Sequence, residues 1–313
     1  MNNFEQNLYD SLVHNSILFL DKGARELVKS ECNSLHDTIV LSCVHIQISL
    51  ELAMRAYMIR VRGINAILDK KHQGLSMAEI ETHYYDNSLK FVEFDCLKNQ
   101  LKSCSLFNSE EFKIIDSFQM YRNKLVHFCC HIEENELEEL SNKLIYYVVR
   151  IVLFLLYDNY EDKKPAEYFE KLLGGKFYES LWNNQGYIKA LEYFAAQWSK
   201  KVGICPECER KTYSIDYEFC YLCNLNLKYS IGRANCDMCD GINTVIYDNL
   251  NIHVLGNHHS MPGFCQKCGA KPEIFECPIC KQTYELYADI EDWYCYDGHC
   301  TTKNIDYDNK SFD

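Results

Sequence analysis

Between positions 205 and 300 this chain places twelve cysteines, and ten of them stand in Cys-x-x-Cys pairs: Cys205/Cys208, Cys220/Cys223, Cys236/Cys239, Cys265/Cys268 and Cys277/Cys280. A looser pair, Cys295/Cys300, closes the run. Nothing else in the sequence restricts the fold as strongly. In a reducing compartment such an array means metal rather than disulfides. A Cys-x-x-Cys turn lets two thiolates reach one ion while backbone N–H groups point at the sulfurs, and two turns complete a tetrahedral site. Twelve cysteines make three sites with none left over, so about three structural Zn2+ ions are expected. The remaining six of the 18 cysteines lie in residues 1–204 with no pairing pattern.

An internal repeat favours pairing in sequence order. Cys205-Pro206-Glu207-Cys208 is followed by Thr212-Tyr213-Ser214-Ile215 and then Phe219-Cys220-Tyr221. Cys277-Pro278-Ile279-Cys280 is followed by Thr283-Tyr284-Glu285-Leu286 and then Tyr294-Cys295-Tyr296. The natural ligand sets are therefore Cys205, Cys208, Cys220 and Cys223; Cys236, Cys239, Cys265 and Cys268; and Cys277, Cys280, Cys295 and Cys300. The middle set encloses the β-like runs Thr244–Tyr247 and Ile252–Leu255. A competing register would join Cys265/Cys268 to Cys277/Cys280. His258 or His259 could replace a thiol, and His299 could displace Cys295 or Cys300. With enough thiols present, these histidines and His253 read as surface groups or as supports behind the ligands. Four-thiolate sites leave no position for water, so catalytic zinc is not expected. Tyr213, Tyr217, Tyr221, Trp293 and Tyr296 are candidates to stack on bases, or to fill the small cores of the ribbons.

Composition divides the chain. Residues 1–164 contain no proline and only Gly23, Gly63 and Gly74; all five prolines and the other glycines lie beyond. The fold expected is mainly α: an N-terminal antiparallel helical bundle over 1–160, a helical connector over 161–203 and a small β-rich array of zinc ribbons or knuckles over 204–313. Helices are predicted at Phe4–Lys29 and Leu35–Val61, the second with Leu41, Val44, Ile48, Leu52 and Ile59 along one face. Residues 63–87 read as irregular. Further helices are predicted at Ser88–Leu101, at Ser109–Phe128 with Ser109 as N-cap, and at Asn135–Tyr157. The last carries a stripe of Leu137, Leu140, Leu144, Val148, Ile151 and Leu155 that reads as core or dimer seam. A connector pair follows, one helix between Pro165 and Gly174-Gly175, the other over Tyr187–Trp198.

The net charge is −13, from 45 acidic and 32 basic residues, which argues against a protein coated for nucleic acid or anionic membrane. The apolar stretch Leu144–Tyr157 is short for a membrane span and contains Arg150. Glu5 and Asp10 stand where a signal peptide needs a basic head and an apolar core. A cytoplasmic protein with no membrane partner is the expectation.

One motif in the helical half carries chemistry. Arg122-Asn123-Lys124-Leu125-Val126-His127 closes the penultimate long helix. With the proline-free bundle and the apolar helix that follows, it resembles the HEPN superfamily, whose Arg-x4–6-His motif occupies this kind of position. The resemblance implies a metal-independent endoribonuclease or an inactive relative. It also implies a homodimer whose two motifs line one cleft, and a role in toxin–antitoxin, abortive-infection or antiphage defence. RNA supplies its own nucleophile, the 2′-OH. Histidine suits acid–base transfer near neutral pH, and arginine offers a cationic fork for phosphate oxygens. Asn123, one turn before His127, is placed to orient the imidazole or hold a phosphate. Arg122 lies about 140° round the helix from His127, which suits a composite two-protomer site. Glu51 matches the acidic residue that relatives carry on the second helix, although with Arg55 one turn on it also reads as an ordinary i,i+4 pair. Arg55, Arg60 and Arg62 form the densest arginine group, either a phosphate site or a solvated helix end. His45 reads as a satisfied core histidine. The expected partners are RNA substrate, a second copy and a protein regulator. The competing reading is a catalytically inactive bundle with zinc ribbons that senses nucleic acid or scaffolds a complex. An iron–sulfur protein is the third.

Overall fold

The computed structural model describes residues 1–33, 36–127, 143–157, 165–227, 231–248, 253–255, 258–276 and 283–286. The protein is mainly helical with a C-terminal β-sheet region. It divides into two compact units, Met1–Phe194 and Ala195–Asp313.

The first unit is built on a helical hairpin, α1 (Asn3–Asn33) and α2 (His36–Arg62). Small residues let the two backbones approach. The Ser16 hydroxyl donates to the Ser49 carbonyl at 2.9 Å and the Ser49 hydroxyl to the Ser16 carbonyl at 2.8 Å. A Cβ on Gly23 would stand 2.7 Å from Ile46 Cγ1. The far end is tied by Glu5, whose carboxylate accepts the Ile64 N–H at 2.7 Å. Ile64 opens a short 3-10 turn, Ile64–Ile67.

The buried face of α2 is not the expected one. Cys43, Ile46, Leu50, Ala53, Met54, Ala56, Met58 and Ile59 are buried, whereas Leu41 is 49% exposed and Val44, Ile48 and Leu52 are only half-buried. Two interleaved apolar stripes run along this helix, and packing against α1 selected the one with small residues. Among the described residues, one segment, Thr38–Arg62 of α2, is long and apolar enough to cross a membrane. Here it packs against four other helices of the bundle.

Residues 63–87 are more ordered than expected. They contain α3 (Met77–Tyr85), whose capping box joins Ser76 and Glu79. Next come α4 (Phe94–Ser103), which starts six residues after the expected Ser88 because Phe91 is held in a bridge to Leu68, and α5 (Ser109–His127). The N-cap of α5 is Asn108 rather than Ser109. Its side chain accepts the N–H groups of Glu110 and Glu111, both at 2.9 Å, while Glu111 accepts the Asn108 N–H at 3.0 Å. The expected Asn135 cap and the acidic run before it lie outside the described residues.

Helix α6 (Lys143–Leu156) is buried from Ile145 to Leu156 on every face except at Phe154. Within its described part the heptad-like stripe is core. Arg150, 2% exposed, is answered by Glu111 of α5. Its Nη1 donates to Glu111 Oε1 at 2.7 Å, and the Tyr147 hydroxyl donates to the same oxygen at 2.8 Å.

The expected connector contains three helices rather than two: α7 (Pro165–Leu173), α8 (Gly175–Trp182) and α9 (Gln185–Trp198). Gly174, at φ 76°, breaks α7 from α8. Aromatic rings fasten the connector to α6, with Tyr146 against Tyr187 at 5.9 Å and Tyr147 against Phe194 at 4.5 Å. Ring burial of this kind is why the first unit extends to Phe194.

The described residues of the second unit form two sheets. Strands β1 (Val202–Gly203), β2 (Tyr213–Ser214) and β3 (Phe219–Cys220) form a small antiparallel sheet. The larger sheet comprises β4 (Ile231–Cys236), β5 (Gly241–Asp248), β6 (His253–Leu255), β7 (His258–Cys265), β8 (Glu273–Glu276) and β9 (Thr283–Leu286). Its order is β4-β5-β7-β8-β9, with β6 paired to β7 and every pairing antiparallel. Its core is Ala234, Cys236, Val245, Tyr247, Met261, Cys265 and Ile274, so two thiols belong to the hydrophobic core itself.

Candidate metal centres and the arginine helix

Four of the Cys-x-x-Cys turns share one backbone solution. The residue after the second cysteine is left-handed in each: Glu209 at φ 54°, Asn224 at 59°, Asp240 at 50° and Gly269 at 78°. Three of the turns close with an N–H bond to the first cysteine's carbonyl: Glu209 to Cys205 at 2.9 Å, Asn224 to Cys220 at 3.0 Å and Gly269 to Cys265 at 2.8 Å. Non-glycine residues seldom take that conformation. Its repetition at every described pair gives the four turns one shape, in which two thiols can face a single ion.

The knuckles meet in the expected sequential register. Cys205, Cys208, Cys220 and Cys223 converge, as do Cys236, Cys239, Cys265 and Cys268, with the ligand atoms of each set within 4.8 Å of one another. Because Cys265/Cys268 close on Cys236/Cys239, the register joining them to Cys277/Cys280 is excluded. The Sγ–Sγ distances include 3.6 Å for Cys205–Cys223, 3.7 Å for Cys208–Cys220, and 3.8 Å for both Cys236–Cys268 and Cys239–Cys265. Four sulfurs tetrahedral about an ion at ~2.3 Å have edges of about 3.8 Å. Both clusters thus have the size of a four-thiolate metal site.

The electrostatics agree. Hydrogen bonds from neighbouring thiols, with burial, push Cys205 and Cys223 up, and burial leads the rise of Cys236 and Cys239. One thiol per cluster goes the other way. Burial opposes ionisation of Cys220, but the surrounding thiols bring it well below its ordinary value. Against the same burial penalty, Cys265 is lowered to about 6 by the Thr244 hydroxyl and by N–H groups of Cys268 and Lys267. Four crowded thiols cannot all ionise against their mutual repulsion, and a central cation removes that penalty.

The sequence did not single out Thr212 and Thr244 as supports. Thr212 Oγ1 lies 3.1 Å from Cys220 Sγ, and Thr244 Oγ1 lies 3.4 Å from Cys265 Sγ. Thr212 opens the repeated Thr-Tyr segment, so the signal was present. Gln266 ties the two centres together. Its carbonyl accepts the Ile204 N–H at 2.6 Å and its side-chain oxygen accepts from Arg233 at 3.2 Å.

His253 and His258 fall on β6 and β7, with His258 opposite Leu255 and His259 opposite Val254. They stand roughly 20 Å of extended strand from Cys265, and neither four-cysteine set includes them. Of the proposed stacking aromatics, Tyr213 and Tyr221 are 1% exposed, so they are core. Tyr217 is 55% exposed. Trp293 and Tyr296 lie outside the described residues, as do Cys277, Cys280, Cys295, His299 and Cys300.

In the helical unit, Arg122 is half-buried on α5. Its Nη1 donates to Asn123 Oδ1 at 2.9 Å, and its Nε has no partner among the described residues. His127 ends the helix, and its side chain lies outside the described residues. Glu51 accepts from Arg55 at 2.5 Å, an i,i+4 pair. Arg55 also stacks on Phe91, Arg60 donates to the Leu155 carbonyl at 3.3 Å, and Arg62 to the Ser103 hydroxyl at 2.9 Å. The arginine group is therefore engaged within the bundle. His45, expected to be satisfied, keeps a buried Nδ1 with no partner among the described residues.

No protein-family model, no curated protein and no solved structure matches the chain.

Proposed function

We propose that this chain is a HEPN-type, metal-independent endoribonuclease whose C-terminal unit is held together by structural Zn2+. The observation that carries the catalytic half is Arg122. It sits at the C-terminal end of a bundle helix with its guanidinium oriented by Asn123, and a histidine follows at the end of the same helix. In this reading Arg122 takes up the charge of the phosphorane as the 2′-oxygen attacks. His127 moves the proton, accepting it from the 2′-OH or delivering it to the leaving 5′-oxygen. Glu51, paired with Arg55 on α2, is in this reading the acidic residue that faces the motif.

Zinc fits the donor set. Four soft thiolates at tetrahedral spacing match its preference, and a closed shell makes it a staple rather than a reagent. Each such site is worth ~10–16 kcal/mol of coupled folding energy. A third site, Cys277/Cys280/Cys295/Cys300, follows from the sequence repeat. Its Thr283–Leu286 segment forms a strand, as does the matching Tyr213–Ser214.

Leu41, Val44, Ile48 and Leu52 leave an incompletely covered apolar stripe on α2. It offers a surface for the homodimer that would bring two Arg122 copies to one RNA. A protein regulator and a toxin or antiphage role, in the cytoplasm, complete the proposal.

The test is cleavage of total RNA by the zinc-loaded chain. The reading expects activity that Arg122→Ala and His127→Ala abolish while the fold is kept. A gel shift without cleavage would instead support a binding module.

A further inference from the structure

We propose that His72 and His83 form a binding site for one divalent first-row transition-metal ion, separate from the thiolate clusters and independent of the nuclease reading. The two residues are 11 apart in sequence and belong to a closed excursion between α2 and α4. A bridge between Leu68 and Phe91 joins its ends, helped by Asp69 N–H to Lys90 carbonyl at 3.0 Å and Val92 N–H to Ile67 carbonyl at 2.9 Å. Inside the excursion, α3 is capped by Ser76 and Glu79 and anchored by the fully buried Ile80. His72 precedes α3 and His83 lies in its last turn, so both stand on hydrogen-bonded backbone.

Their side chains are set in matching ways. His72 Nδ1 meets Asp69 Oδ1 at 2.5 Å, and that oxygen also accepts the N–H groups of Lys71 and His72. His83 Nδ1 meets Ser88 Oγ at 2.6 Å, and the Ser88 hydroxyl donates to Asp86 Oδ1 at 2.5 Å. Ser88 has thus spent its proton, so it accepts from His83 Nδ1–H. Asp69 likewise accepts from His72 Nδ1–H. Both imidazoles are thereby held in the tautomer whose Nε2 carries the lone pair, the arrangement by which carboxylates and hydroxyls orient metal-bound histidines. Neither Nε2 has a hydrogen-bond partner among the described residues, and neither is sealed from solvent.

The rings are 5.1 Å apart between centroids and 79° apart in plane. Two imidazoles bound at ~2.0–2.1 Å to one tetrahedral ion have centroids about 5 Å apart. Water would complete the shell. Imidazole donors select Zn2+, Ni2+ or Cu2+ over Mg2+ or Ca2+.

The experiment is calorimetric titration of Ni2+ into tag-free, full-length protein whose thiolate sites have first been filled with Zn2+. One additional ion per chain is expected. His83→Gln, at a half-exposed position, should lose that ion or bind it at least tenfold more weakly with an unchanged melting profile. Asp69→Asn should weaken binding by roughly tenfold through His72. Wild-type protein that takes up no Ni2+ beyond its zinc, or His83→Gln that binds as wild type does, would overturn the proposal and leave the ring contact as packing.

Discussion

Replacing Glu111 by alanine should be among the most damaging single changes in the helical unit. Glu111 Oε1 accepts from Arg150 and Tyr147 at 2.7 and 2.8 Å, while its other oxygen caps α5 through the Asn108 N–H at 3.0 Å. Both charged side chains are almost wholly buried, at 8% and 2% side-chain exposure. Removing one partner leaves the Arg150 guanidinium in an apolar helix with its charge uncompensated, which costs about 3–5 kcal/mol. The lost cap adds ~1 kcal/mol. For a unit of this size each kcal/mol is worth about 2–4 °C, so the midpoint should fall by roughly 10–20 °C. Circular dichroism at a helical wavelength during heating reads it directly. Glu111→Gln, which keeps the shape and an acceptor, should lie between. Glu111→Leu with Arg150→Met, which removes both charges, should recover most of the loss. A Glu111→Ala midpoint within about 3 °C of wild type would refute the claim that this pair bolts α5 to α6.

The other predictions concern the remaining devices. Asp69, Glu79 and Asp86 are lowered first by hydrogen bonds from His72, Ser76 and Ser88 respectively. A carboxyl lowered in the folded state stabilises above its unfolded pKa, and that stability is lost as pH falls through the folded value. Amide exchange should therefore open residues 68–92 first as pH drops below about 4; earlier opening of the α1–α2 hairpin would contradict this. A Cβ at Gly203 would stand 2.9 Å from Gln266 Cβ and 3.1 Å from its carbonyl oxygen. Gly203→Ala should cost about 1–3 kcal/mol and speed zinc loss to a chelator, and an unchanged release rate would count against the Gln266 tie. Cys220→Ser should lower the metal content by one ion per chain, read by elemental analysis, and a loss of two would mean that the clusters fill cooperatively.

The sequence made the thiol arithmetic readable because ligand spacing is local. A Cys-x-x-Cys turn declares itself within four residues, and the Thr-Tyr repeat supplied the partners. Most helix limits were also close, although Gly23 lies inside α1 and α4 starts at Phe94 rather than Ser88. What escaped was non-local or ambiguous. Ser76-Met77-Ala78-Glu79 spelled a capping box, but α3 buries few side chains and has little periodicity. Asn108 and Ser109 are both good caps, and only the Glu111 carboxylate decides between them. The face that α2 buries depends on where Ser16 and Gly23 of α1 allow close approach. The Arg150–Glu111 pair spans 39 residues, and no sequence pattern announces it. His72 and His83 meet only because Leu68 and Phe91 pair. The HEPN resemblance rests on Arg122, Asn123 and His127 with the helical context.

The measurement that bears most directly on the nuclease reading is the end chemistry of RNA treated with the zinc-loaded chain in EDTA too brief to strip the thiolate sites. The account predicts 2′,3′-cyclic phosphate and 5′-hydroxyl termini, with no cut where the target nucleotide carries a 2′-deoxy sugar. Intact RNA, or scission that persists at the 2′-deoxy position, would contradict it.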